Sequence, residues 1–150
     1  MNTAGTPLAP RVPTLIDVVE LACLAPSVHH TQPWAWRVVR SGLELYADRR
    51  RLLRSTDPAG HHLVVSCGAA LHHSQVAALA LGWQPTVQRL PEGPESDLLA
   101  RIDLTAGHRT PEHMLDMDAL PAEPIGAARR PGRCPRLASR SSPPPRSGGA

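Results

Sequence analysis

Residues 25–36 read APSVHHTQPWAW, a short connection crowded with hydrogen-bonding side chains between two segments of different periodicity. Upstream, Leu15, Ile16, Val18, Val19 and Ala22 recur at helical spacing, which predicts a first helix over 15–24. Thr14 followed by Asp17 resembles a capping box, with Asp in place of the usual Glu or Gln. Pro26 stops that helix, because proline disfavours helical backbone in the residue before it. Downstream, Trp34, Trp36 and Val38 alternate with Ala35, Arg37 and Val39, the two-residue period of a strand. Ser41-Gly42 suits a tight turn, and LELYA at 43–47 returns as the partner strand. The opening stretch therefore joins a helix to a hairpin.

Further along, Asp57 with Pro58 behind it predicts a helix start. That helix would run to Leu81 and stop at Gly82, a preferred left-handed terminus. It is apolar on most faces, as expected of a buried central helix. Gly68 in its interior suggests close approach of another backbone or a flat ligand. PTVQRL and LLARIDL, at 85–90 and 98–104, read as two more strands around the turn-forming PEGPES. PEHMLDMDAL, 111–120, suits a short helix. The expected organisation is a flexible arm at 1–12, a folded unit at 13–108, the short helix within 109–120, and a Pro/Arg/Ser-rich tail at 121–150. The tail lacks the apolar content to fold, so disorder is expected there.

At 150 residues the chain is long enough for one core. With three Trp, one Tyr and no Phe, that core must come from Leu, Val, Ala and Trp. The net charge of +3 is unevenly spread: beyond Pro121 the only acid is Glu123, against six arginines. The remainder is slightly acidic, so the basic balance does not point to nucleic acid. Cys23, Cys67 and Cys134 show no CxxC spacing, which fits reduced thiols and a cytoplasmic location. The N-terminus lacks the apolar run of a secretory signal. HHSQ at 72–75 interrupts the most apolar stretch, so no membrane span is expected.

The paired histidines raise a metal hypothesis. His61-His62 and His72-His73 lie about 16 Å apart along a helix, so one ion cannot bridge them, and helix-surface histidines are the default. Arg49, Arg50, Arg51 and Arg54 suit a phosphate, an acidic partner or, more commonly, a solvated charged loop. No triad motif is present, and no side chain is singled out as a general acid or base.

Taken in order, APSVHHTQPWAWRV, LELYADRRRLLRSTDPAGHHLVVSCGAALHH, VAALALGW and VQRLPEGPESDLLARIDL resemble the N-terminal half of the Acg family, flavin-binding proteins similar to nitroreductases. The likeness covers roughly residues 14–104. It implies a partial nitroreductase-like α+β fold: helix, β-hairpin, long central helix and two strands. It also implies that the PSxxNxQPW-like loop lines a flavin mononucleotide (FMN) site. Pro26, Ser27, His29, His30 and Gln32 are the implied cofactor-binding residues, and His30 stands where the nitroreductase pattern has Asn. An imidazole offers one donor or acceptor per nitrogen, unlike the paired groups of an amide.

The implied activity is hydride transfer from NADH or NADPH through FMN to a nitro compound or quinone. The implied partner is that small-molecule acceptor, with a homodimer conceivable. Proteins of this family are about twice this length, and their second half resembles another nitroreductase unit. The end of the likeness near residue 105 suggests a truncated or frameshifted product. The alternatives are FMN sequestration without turnover and an inert fragment.

Overall fold

The structure, a computed structural model, describes residues 9–120 and 137–138. Helix α1 spans Val12–Ala22 and starts three residues earlier than the periodicity predicts. Pro13 occupies its first turn, where an amide has no intrahelical partner. Arg11 is the N-cap and makes no side-chain cap bond, so the Thr14–Asp17 pair is not a capping box. Strand β1, Trp34–Val39, and strand β2, Gly42–Ala47, form the expected hairpin. Its turn is shifted by one residue, since Val39 pairs with Gly42 and the corner is Arg40-Ser41. Gly42 is needed for space instead: a Cβ there would lie 1.8 Å from the carbonyl oxygen of Ile102 on the neighbouring strand.

Helix α2 spans His61–Ala80. It begins four residues after Asp57, following Gly60 in a left-handed conformation (φ 75°). Asp57 still serves the helix start, because its Oδ2 accepts the Leu63 N–H at 3.0 Å. Gly82, with φ 85°, ends the helix as expected. Strands β3 (Trp83–Arg89) and β4 (Leu98–Ala106) and helix α3 (Pro111–Asp118) follow. Thr110 caps α3 through a reciprocal pair with His113. Of the expected tail, only Leu137–Ala138 are described, as a two-residue strand β5; the rest, and most of the arm, lie outside the described residues.

The sheet order is β3-β4-β2-β1-β5, with antiparallel pairing except for β5, which runs parallel to β1. One face carries α1 and α2. There the alternation in β1 buries Trp34 and Trp36 with Leu43 and Leu45 of β2, Ile102 of β4, Val18 and Val19 of α1, and Ala70 and Ala77 of α2. A bulge in β2–β4 between Leu45 and Tyr46 turns Leu98 to the other face, where it meets Ala35 and Tyr46.

Helix α2 is not buried all round. Val64 and Val65 are 56% and 66% exposed, and a Cβ at Gly68 would meet nothing within 4 Å. The close neighbour expected at that glycine is absent among the described residues. The helix is long and apolar enough to cross a membrane by length and composition alone, yet most of that stretch is buried inside the fold. His61, His62 and His72 are exposed as expected, but His73 is buried. Burial pushes its pKa down, with the Ala69 carbonyl opposing that shift.

On the face opposite the helices, Glu44 is 4% exposed and accepts hydrogen bonds from Arg37, Tyr46 and Arg101. Burial works against its charge, but the bonds from Arg37, Tyr46 and Arg101 outweigh it and hold the pKa below the ordinary carboxylate range. The Tyr46 phenol is pushed up to about 12, by burial first and then by the hydrogen bond to Glu44.

Two outcomes are expected. Trp36→Ala should cost about 3–5 kcal/mol in urea unfolding, the usual range for a buried tryptophan. Because the Glu44 pKa is depressed by folding, its contribution is present above the unfolded value and is lost as pH falls through the folded one. Stability measured across a falling pH series should therefore decline less steeply in Glu44→Gln than in the parent chain.

Candidate functional site

The connection between α1 and β1 is bounded by Pro26 and Pro33, and its middle is a single 3-10 turn, Val28–His30. Three non-glycine residues take left-handed backbone: His29 at φ 54°, His30 at φ 54° and Gln32 at φ 44°. Such conformations persist where the surroundings over-determine them, and they concentrate at functional sites.

The loop's own side chains supply part of that determination. Ser27 Oγ accepts the Gln32 N–H at 3.0 Å. Gln32 Nε2 donates to the Cys23 carbonyl at 3.3 Å. Thr31 Oγ1 donates to the Val28 carbonyl at 3.0 Å. Ser27 and Gln32, both implied as flavin contacts, thus spend hydrogen-bonding capacity inside the loop. Gln32 keeps its Oε1 acceptor.

Pro26, His29 and His30 are exposed. The His29 ring stands edge-on to the His62 ring of α2, with centroids 6.4 Å apart. Neither His29 nor His30 makes a side-chain hydrogen bond among the described residues. The structure therefore brings the five implied residues onto one loop but divides them: Ser27 and Gln32 build it, while His29 and His30 face outward.

Beside the loop, Val28, His29, Thr31, Arg51, Leu52, Leu53, Asp57, His62 and Leu63 line a cavity with about 10 Å³ open to the centre of a water molecule, roughly one water. The arginine run does not face a phosphate as a group. Arg49 pairs with Asp97, and Arg50 with Asp48. Arg51 donates to the Thr31 carbonyl at 2.9 Å. Only Arg54 of the four makes no ion pair among the described residues. The N-terminus of α2 is likewise taken, because Asp57 accepts from Leu63. Burial opposes the Asp57 charge, yet the amides of Leu63, His62 and His61 hold its pKa down.

The residues that sequence reasoning missed lie on α2. Ser66 Oγ accepts the Val28 N–H at 3.0 Å and donates to the His62 carbonyl at 2.7 Å. Cys67 donates its thiol to the Pro33 carbonyl at 3.4 Å. Burial, and secondarily the charge of Asp48, push the Cys67 thiol up to about 12, so it stays protonated and able to donate. Cys67 is a free thiol, as expected for it. Cys23 is disulfide-bonded, which corrects the reading of reduced thiols at that position.

No family model matches the chain. A Mycobacterium tuberculosis protein named "Putative NAD(P)H nitroreductase" is 50% identical over 93 residues, which cover 62% of this chain and 27% of that protein. Another, named "Putative NAD(P)H nitroreductase acg", is 40% identical over 105 residues, covering 69% of this chain and 32% of that protein. Over these stretches the chain is similar to Acg-like putative nitroreductases. It spans about a third or less of the length of these curated relatives. The Acg-like likeness and the partial α+β fold thus agree with the reading of the sequence.

One chemical consequence is direct. With its thiol protonated and 1% exposed, Cys67 should be inert to a thiol-labelling reagent in the folded chain. It should label at the free-thiol rate once the chain is unfolded in urea; fast labelling of Cys67 without denaturant would contradict its place in the structure.

Proposed function

We propose that this chain carries the flavin-edge loop of an NAD(P)H-dependent, FMN-containing oxidoreductase of the nitroreductase type. The observation that supports this reading is the loop itself. Its left-handed backbone is fixed internally and from α2, and it leaves the exposed imidazoles of His29 and His30 without hydrogen-bond partners among the described residues. Each ring nitrogen can donate or accept one hydrogen bond, and Gln32 adds one carbonyl acceptor. An isoalloxazine edge carries carbonyl oxygens and ring nitrogens, so the donor set fits it. A preset loop also binds with less ordering entropy than a flexible one.

His29, His30 and Gln32 would hold the cofactor rim, and Arg54 remains available for its phosphate. The hydride chemistry, from NAD(P)H to a nitro compound or quinone, is that of the bound flavin, which the protein positions and tunes. No side chain of this chain is assigned a proton transfer.

A second reading has a specific observation behind it. The cavity beside the loop has room for about one water, so among the described residues the loop offers FMN an edge and this cavity does not enclose it. Binding without turnover, or turnover only when a second copy or further polypeptide adds walls, follows from that geometry.

Titrating FMN against the purified chain, with flavin fluorescence as the readout, tests the reading. Saturable quenching is expected, and His30→Ala should weaken it about tenfold, about 1.4 kcal/mol for one lost hydrogen bond. NADH or NADPH oxidation with a nitroaromatic or quinone then separates the readings: turnover supports the enzyme, and bound flavin without turnover supports sequestration. A chain that takes up no FMN contradicts both.

A further inference from the structure

The strained loop is gripped from outside itself. Val28 N–H is held by the Ser66 hydroxyl, whose own proton goes to the His62 carbonyl, so both capacities of this 2%-exposed group are in use. Three residues on, the Thr31 carbonyl is held by Arg51, whose guanidinium is steadied 3.8 Å from the Asp48 carboxylate. The left-handed residues His29 and His30 lie between these two fixed points. Ser66 and Arg51 reach the loop from positions 38 and 20 residues distant in sequence, and neither belongs to the implied flavin set.

We propose that Ser66 and Arg51 are positioning residues: they hold the 28–31 backbone in the path that leaves both imidazoles facing a ligand, and thereby set FMN affinity without touching FMN. This rests on the flavin reading for its ligand, but the grip itself does not. Losing the Ser66 hydroxyl leaves the Val28 amide without its acceptor, and the left-handed turn then loses the contact that fixes its entry. Losing Arg51 frees its exit. Relaxation of His29 and His30 toward ordinary backbone would swing both rings away from a common edge.

The test uses the full chain with Ser66→Ala, Ser66→Thr, Arg51→Ala and Arg51→Lys, and with Ser74→Ala as control. Ser74 is equally buried, but its hydroxyl bonds only to Leu71 within α2. Amide hydrogen exchange and FMN fluorescence titration are read on each. Ser66→Ala and Arg51→Ala should speed exchange at the amides of 28–32 about tenfold while core amides of β2 and β4 keep their rates. FMN affinity should fall about tenfold. Ser66→Thr and Arg51→Lys, which keep a donor or acceptor in place, should recover most of both, and Ser74→Ala should change neither.

Unchanged loop exchange in the two alanine variants overturns the proposal. So does faster exchange in loop and core together, which would make the residues general supports of the fold. A loosened loop with unaltered FMN affinity overturns the positioning role. If the parent chain takes up no FMN, the flavin reading fails, and loop exchange alone then decides whether Ser66 and Arg51 hold the backbone.

Discussion

The docking of α2 against the connection between the first helix and the sheet is the constraint on which the site depends, and the Ser66 hydroxyl fixes the loop within it. Between Pro26 and Pro33 the backbone must reverse its course and deliver Trp34 and Trp36 into the core, where they are 0% and 1% exposed. The route it takes passes through left-handed conformations at three non-glycine residues, each costing on the order of 1–3 kcal/mol if unsupported. Ser66 holds the path at Val28, Arg51 at Thr31, and Cys67, the next residue of α2 after Ser66, at Pro33. The buried tryptophans and the shape of the loop are therefore two results of the same docking of α2 onto the connection.

The rest of the fold follows from that docking. Once Trp34 and Trp36 point at α1 and α2, the strand alternation places Arg37 on the opposite face, beside Glu44 and Arg101 of the neighbouring strands. Gly42 lets β2 approach β4 closely. The helix that anchors the loop keeps an exposed, uncharged stretch containing Val64, Val65 and Gly68.

Much of this was legible in the chain. The alternation of WAWRVV and the helical spacing of Leu15 to Ala22 are strong because one face of each element is buried, and the structure keeps both. Boundaries were less legible. Pro13 starts α1 early, and Gly60 delays α2, because local turn geometry decides a helix end and periodicity does not. His73 looked like a surface residue because its burial depends on neighbours distant in sequence.

The loop residues could be named from their resemblance to a known pattern, but not their division of labour. Ser27 and Gln32 turn inward while His29 and His30 turn outward, and that depends on left-handed backbone that sequence does not display at non-glycine positions. Ser66 carried no local signal, since a serine in an apolar helix looks ordinary, and Arg51 was legible only as one member of a charged run and not as a holder of the loop.

The most direct measurement is an amide correlation map of the isotopically labelled chain, recorded with increasing FMN. A loop built to meet a flavin edge gives shifts concentrated at His29, His30, Thr31 and Gln32 and in the first turn of α2 near His62, with Leu43, Leu45 and Ile102 still. A map that does not change, or one whose shifts gather on β3 and α3 away from the loop, would contradict it.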